Sequence, residues 1–146
     1  MLRLILIILL IFIFAIPLGL LAMLVAAALG LFSPHAREVF AQFYLRVLMG
    51  GVILLSGSKV AVYGRENIPA KGGCLFIGNH RSFFDIFLQY QYILRPCGTI
   101  AKIEWKKVPI LRVWMKFIRC PFLDRSSLRS GVEVTKQAEQ AVREGR

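Results

Sequence analysis

Over the first third of the chain, apolar residues run on without polar interruption. Between Leu4 and Phe32 no charge occurs, and 26 of the 29 residues are hydrophobic. That exceeds the roughly 20 residues that span a bilayer as one helix. A secretory signal would hold an apolar stretch of only about 7 to 15 residues ahead of a small-residue cleavage site, so a retained segment is expected. Pro17 and Gly19 interrupt the run and divide it into Leu4–Ile16 and Leu18–Phe32, each about 20 Å long as a helix. Two arrangements fit: one tilted or kinked span, or a helix that dips into one leaflet. Next, Val39–Leu55 sets Phe40, Phe43, Tyr44, Val47, Leu48, Gly51, Leu54 and Leu55 on one helical stripe with Gln42 and Arg46 facing away, the pattern of a helix that is interfacial or packed against the first. His35, beside Ser33-Pro34, reads as a turn residue rather than a ligand. Residues 1–58 carry no catalytic pattern and read as an anchor.

Beyond Ser58 the pattern changes to short alternations. Lys59–Tyr63 alternates as a strand does, and Gly64 to Gly73, with Pro69 and Gly72 inside it, reads as turns. Cys74–Ile77 is a short unbroken apolar run, as in a buried strand. Phe83–Leu94 has helical spacings and stops at Arg95-Pro96. Thr99–Ala101 is a further short strand, Ile110–Ile118 a basic and aromatic helix after Pro109, and Pro121–Leu123 an extended piece. Leu128–Arg143 is an amphipathic helix with Leu128, Val132, Thr135, Ala138 and Val142 on one face. Strands alternating with helices predict an α/β class: N-terminal hydrophobic helices followed by an α/β layer.

Composition sharpens the division. Of the first 58 residues 42 are hydrophobic, against 41 of the last 88, and the latter share matches ordinary globular usage of roughly 45–50%. The charge lies in the second part, with 16 bases and 7 acids, and only Arg3, Arg37, Arg46 and Glu38 precede it. Two regions are therefore expected: a membrane-associated helical segment, 1–58, and a small basic domain, 59–146. Eighty-eight residues suffice for one core but lie near the size at which burial only just outweighs chain entropy. Cys74, Cys97 and Cys120 are too few and odd in number for a disulfide scaffold, and none has a close Cys or His at metal-ligand spacing, so buried reduced thiols and no metal are expected. Bases downstream of an apolar anchor place the basic domain on the cytoplasmic side of the cell membrane.

The run Gly78-Asn79-His80-Arg81-Ser82-Phe83-Phe84-Asp85 falls where a strand ends and a helix starts, a usual place for function in α/β proteins. A loop histidine and an aspartate in the first helical turn can approach. The carboxylate then accepts from one ring nitrogen and leaves the other free as a base. Ser82 and Asp85 equally fit the N-cap and third position of a capping box. On residues alone, His80 as a catalytic base and His80 as a satisfied loop side chain fit equally well.

The segment Asn79-His80-Arg81-Ser82-Phe83-Phe84-Asp85 resembles the first block of the glycerolipid acyltransferases, the 1-acyl-glycerol-3-phosphate acyltransferase family, where an Asn-His-x-Ser-x-x-Asp run holds the catalytic His and Asp. Ala101-Lys102-Ile103-Glu104-Trp105 with Val108-Pro109 is similar to that family's Ala-Lys-x-Glu-Leu and downstream Pro. Pro121-Phe122-Leu123-Asp124-Arg125 resembles its second block, commonly Gly-x-Ile-Phe-Ile-Asp-Arg. The resemblance implies transfer of a fatty acyl group from a thioester, of coenzyme A or acyl carrier protein, to the sn-2 hydroxyl of lysophosphatidic acid. It implies His80 as general base, Asp85 as the group that orients it, Asn79 and Ser82 beside the substrate, Arg125 on the acceptor phosphate, and Asp124 orienting Arg125. Another lysolipid or glycerol-3-phosphate as acceptor, and an inactive membrane-binding fragment, remain as alternatives. No separate cofactor is implied.

Two features depart from that family. Arg119 stands where it commonly has Gly, and Pro121 where it often has an aliphatic residue. Family members also continue into a further strand and a Phe-Pro-Glu-Gly-Thr-Arg block. Glu144-Gly145-Arg146 resembles that block only superficially, since no strand precedes it and the Thr is missing. The expectation is a C-terminally truncated, partial domain. Lys102, Lys106, Lys107, Arg112, Lys116 and Arg119 interleave with Trp105, Val113, Trp114 and Phe117, a face suited to an anionic membrane, where each base contributes on the order of 1 kcal/mol. Nucleic acid is not an expected partner, because it would account for the charge and not for the first 58 residues.

Overall fold

The computed structural model describes residues 2–9, 12–13 and 16–145. They gather into two compact units: the chain up to Val62 together with His80–Pro96, and Tyr63–Asn79 together with the residues from Cys97 onward.

The described elements of the first unit are helices: α1 (Leu2–Leu9), α2 (Ile16–Phe32), α3 (Pro34–Ser56) and α4 (Phe84–Tyr92). Ser33 separates α2 from α3 and caps the latter. Its backbone is extended, its Oγ accepts the Ala36 N–H at 3.2 Å, and Pro34 takes the first helical position, where a missing N–H costs no bond. Gly57 ends α3 at φ 72°, a left-handed conformation that glycine adopts without a side-chain penalty. Arg3 Nη1 donates to the Ser56 carbonyl at 3.3 Å and ties α1 to that same end.

The break in the first apolar run differs from expectation. α2 passes through both Pro17 and Gly19. Pro17 sits in the first turn, where it is tolerated, and Gly19 is a buried contact position, in register with buried Ala22 and Ala26. Small residues so spaced let two helix backbones approach closely, and α2 packs along α3. Of the expected half Leu4–Ile16, Leu10, Ile11, Phe14 and Ala15 lie outside the described residues.

The face of α3 is also the reverse of the one expected. Phe43, Val47 and Leu54 of the apolar stripe are exposed, Leu54 to 79%, whereas Gln42 is buried at 3% and Glu38, Ala41, Leu45, Val52 and Ile53 are buried with it. Arg46 does not face away: its Nη2 donates to the Ile93 carbonyl at 3.0 Å and its Nε to that of Tyr90 at 3.5 Å, so a cation from α3 holds the C-terminal carbonyls of α4. Phe43, Val47 and Leu54 outside with Glu38 and Gln42 inside is the order expected when the surrounding solvent is hydrocarbon, because a lipid-facing Leu loses nothing and a lipid-facing Gln does, while Leu45, Val52 and Ile53 complete the inner face with aliphatic packing. With 23 residues α3 is about 35 Å long at 1.5 Å per residue. Among the described residues it is the helix long and apolar enough to cross a bilayer, with mean hydropathy 1.7; α2, with 17 residues, is about 26 Å long.

In the second unit, β1 (Ala101–Lys102) and β2 (Phe122–Leu123) pair in parallel, Ala101 opposite Phe122 and Lys102 opposite Leu123. A 3-10 turn, Ile103–Lys107, and α5 (Pro109–Phe117) connect them, and α6 (Leu128–Arg143) follows. Trp114, Ile118, Cys120 and Val134 form the buried apolar centre. Trp114 therefore belongs to the core and not to a membrane-facing stripe. The Cys120 Sγ accepts the Thr99 N–H at 3.2 Å. Of the three free thiols Cys120 is buried, as expected, while Cys74 and Cys97 are half-buried.

The strand–helix–strand order of β1, α5 and β2 matches an α/β layer, yet helices predominate and each strand has only two residues. Lys59–Tyr63 and Cys74–Ile77 are not strands. A buried parallel strand needs a neighbour at its edges and a layer on each face, and Leu75, Phe76 and Ile77 are exposed, Ile77 to 88%. α6 keeps the expected bounds but turns a different face inward. Val134 is buried, while Leu128 is 93% exposed and Val132 is exposed with it.

At the end of α5 the backbone compensates for an unfavourable residue. The Cys120 N–H bonds to the Met115 carbonyl at 2.8 Å and the Arg119 N–H to that of Lys116 at 3.1 Å, the paired bonds of a Schellman turn. Its left-handed position, φ 53°, is filled by Arg119. A non-glycine residue there costs about 1 kcal/mol.

Candidate active site

α4 organises the first candidate group. Asp85 lies in its first turn, where a negative charge meets the positive end of the helix dipole. The carboxylate reaches back over the loop: Oδ2 accepts the Arg81 N–H at 2.7 Å and the Ser82 N–H at 2.8 Å. Ser82 Oγ in turn accepts the Phe84 N–H at 3.0 Å. The arrangement is half a capping box, since the carboxylate makes its expected bond to the serine amide while the serine hydroxyl bonds one residue early.

His80 completes the group, with Nδ1 3.1 Å from Asp85 Oδ2. The hydrogen bonds from Ser82 and then Arg81, with the charge of His80 a lesser cause, hold the Asp85 carboxyl below the usual carboxylate range. The carboxylate thus stays ionised and faces Nδ1, which leaves Nε2 as the ring nitrogen turned to other partners. Side-chain exposures of 59% for His80 and 41% for Asp85 leave that nitrogen open to a substrate. Asn79, one residue earlier, is exposed in the preceding loop of the other unit.

The second candidate group lies where β2 leads into α6. Ser127 caps α6, its Oγ accepting the Ser130 N–H at 3.2 Å, and Ser130 Oγ accepts the Asp124 N–H at 3.0 Å. Asp124 does not orient Arg125 as expected. Its Oδ1 accepts from both Ser126 Oγ, at 2.6 Å, and Ser126 N, at 2.9 Å. These bonds, the side-chain one first, hold its carboxyl below the usual range. Arg125 is exposed and has no ion-pair partner among the described residues. It lines an open groove of about 710 Å³ with Ser126, Leu128, Val132, Thr135 and Lys136. The exposed face of α6 thus gives this groove an apolar wall beside two cations.

The structure therefore brings His80, Ser82 and Asp85 together in one unit, and Asp124 and Arg125 together in the other. Sequence reasoning missed Ser126, whose short hydroxylated side chain two residues after an aspartate was the available signal for an Asx-type turn. It also missed Lys136, one helical turn beyond Val132.

Comparison with known proteins points to one family. A family model described as "Acyltransferase" matches residues 59–146. The chain is 30% identical over 92 residues to 1-acyl-sn-glycerol-3-phosphate acyltransferase of Borreliella burgdorferi, covering 63% of this chain and 37% of that one. It is 32% identical over 98 residues to the probable enzyme of the same name from Mycoplasma pneumoniae, covering 64% and 36%. To human lysophosphatidylcholine acyltransferase 1 it is 30% identical over 131 residues, covering 86% of this chain and 24% of the relative. The chain thus spans a little over a third of the length of the two bacterial relatives. No solved structure matches it. With the family model matching residues 59–146, more than half of the chain, and the His80–Asp85 pair held in contact inside that range, this chain belongs to the acyltransferase family.

Proposed function

We infer that the chain carries the proton-transfer centre of a membrane-bound O-acyltransferase that moves a fatty acyl group from a thioester of coenzyme A or acyl carrier protein to the sn-2 hydroxyl of lysophosphatidic acid. The product is phosphatidic acid. The observation that carries this reading is the 3.1 Å contact of His80 Nδ1 with a carboxylate that two backbone N–H groups already hold in place. Nε2 takes the proton of the acceptor hydroxyl as its oxygen attacks the thioester carbonyl. The tetrahedral intermediate collapses, the C–S bond breaks, and the proton passes from the imidazolium to the departing thiolate. Asp85 stabilises the imidazolium between these steps. No acyl-enzyme is needed, because the acceptor oxygen is itself the nucleophile.

Arg125 suits the acceptor phosphate. A guanidinium presents a planar fork of donors to phosphate oxygens, and this one stands exposed in a groove with Lys136 and an apolar wall. The apolar exterior of α1 to α3 supports embedding in the bilayer, with the basic domain on the cytoplasmic face. The exposed bases Lys107 and Arg112 suit an anionic lipid surface.

The test offers the purified chain, in vesicles, a labelled acyl thioester with lysophosphatidic acid, lysophosphatidylcholine or glycerol-3-phosphate. Faster product formation from lysophosphatidic acid than from either other acceptor supports the reading. Preference for lysophosphatidylcholine, to whose human acyltransferase the chain is also similar, reassigns the acceptor, and no product from any of them contradicts it.

A further inference from the structure

In sequence the His80–Asp85 pair lies inside the basic part of the chain, yet its packing partners come from the apolar part. His80–Pro96 gathers with the apolar helices, and α4 packs chiefly on α3. What holds α4 to α3 therefore bears on where the pair stands.

Two contacts fix the C-terminal end of α4. The first is made by Arg46, whose Nη2 donates to the Ile93 carbonyl at 3.0 Å and whose Nε donates to that of Tyr90 at 3.5 Å. Arg46 stands near the middle of α3, an apolar helix of 23 residues. A cation at such a place is costly unless its charge is met. The last carbonyls of a helix lack intrahelical partners and carry the negative end of its dipole, and the guanidinium answers both needs. The second contact is at Gly50, one turn further along α3. Glycine inside a helix is unfavourable, but a β-carbon added at Gly50 would lie 2.9 Å from Gln91 Oε1 and 3.3 Å from Gln91 Cδ. The missing side chain lets α4 lie this close. Gln91 Oε1 is buried there without a donor among the described residues, so close packing and not a bond to that oxygen defines the contact.

Opposite charges bracket α4. Asp85 lies in its first turn and Arg46 meets its last carbonyls, each of the sign that the dipole favours. With nine residues α4 is about 13 Å long. A shift imposed at Tyr90–Ile93 is thus carried along two and a half turns to Asp85, and from its Oδ2 to His80 Nδ1, 3.1 Å away.

We propose that Arg46 and Gly50 of the apolar helix α3 are positioning residues for acyl transfer: they set the placement of α4 and, through it, that of the His80–Asp85 pair. The proposal rests on the acyl-transfer reading above and adds what governs its site. The catalytic pair is held by the helix that enters the bilayer, and neither Arg46 nor Gly50 acts on substrate directly.

The test compares the parent with Arg46→Ala, Arg46→Lys and Gly50→Ala in detergent micelles, by acyl-transfer kinetics and by a carboxyl-carbon NMR titration of Asp85 and Asp124. Arg46→Ala should lower kcat about tenfold and leave KM for lysophosphatidic acid unchanged. Its Asp85 carboxyl should titrate nearer the ordinary carboxylate range than in the parent, while Asp124, in the other unit, stays where it is. Arg46→Lys, which keeps a cation and a donor, should recover most of the lost rate. Gly50→Ala leaves both bonds of Arg46 in place and should lower kcat about threefold by pressing on Gln91, and adding Gln91→Ala to it should restore the parent rate. An Arg46→Ala protein with the parent's kcat and the parent's Asp85 titration overturns the proposal. So does one in which Asp124 moves as far as Asp85, because that reports a generally loosened fold. A parent that transfers no acyl group contradicts the acyl-transfer reading alone: the titration then upholds the positioning if Arg46→Ala moves Asp85 and not Asp124, and overturns it if Asp85 stays.

Discussion

Asp85 and Asp124 each share a short family-like block with a base, His80 five positions before the one and Arg125 directly after the other, and both carboxyls are held below the usual range by hydrogen bonds from short loops. Their neighbours are treated in opposite ways. Asp85 uses one oxygen for two backbone N–H groups and keeps His80 at 3.1 Å on that same oxygen. Asp124 commits its oxygen to Ser126 and leaves Arg125 exposed to the groove. The difference follows from what each base is proposed to do. A general base must be held in one tautomer and orientation, whereas a phosphate-binding cation is most useful with its charge uncommitted. An aspartate in such a block is thus a scaffold in both cases, but only Asp85 scaffolds its partner.

Substitutions can break this comparison at each member. Asp85→Asn should lower kcat for acyl transfer by about two orders of magnitude with little change in acceptor KM, because the amide cannot stabilise the imidazolium; steady-state kinetics at saturating thioester check it. Arg125→Ala should raise KM for a phosphate-bearing acceptor about tenfold and spare kcat, the reverse split. Asp124→Asn should do less: a small loss of stability from the weakened Ser126 turn, read by denaturant unfolding, and acceptor KM within about twofold of the parent. The smallest effect sharpens the pH behaviour. Because the folded pKa of each carboxyl is lowered, each contributes stability above the ordinary carboxylate range and loses it as pH falls through the lowered folded value. In a carboxyl-carbon NMR titration, Ser126→Ala should move Asp124 up toward the ordinary range and leave Asp85 where it is.

Helices were legible in the sequence, and their inward faces were not. The bounds of α6 are those expected from its period, and α5 is shifted by one residue from the expected Ile110–Ile118, starting on Pro109 and ending on Phe117. The inward side depends on what surrounds the helix. For α3 the apolar stripe with Phe43, Val47 and Leu54 lies outside while Gln42 lies inside, because hydrophobic periodicity shows that a helix has two faces and not which one meets protein. Strands failed for a related reason. Lys59–Tyr63 and Cys74–Ile77 have strand composition, but a strand also needs a paired edge, which local pattern does not encode.

Within the candidate site, the His80–Asp85 contact was legible because both residues lie in one loop and one helical turn. The bonding of Asp124 to Ser126 was not, since Arg125 is nearer still in sequence and only geometry decides between them. Arg46 was misread for want of long-range information. Its acceptors lie 44 and 47 residues downstream, at the end of the helix whose first turn holds Asp85.

The central claim is that His80 is the base. Its most direct test is the single-turnover rate of acyl transfer to lysophosphatidic acid by the chain and by His80→Ala, with circular dichroism showing that both are folded. The account predicts a rate at least two orders of magnitude lower in the variant, in the range general bases contribute. Equal rates in the two proteins would contradict it.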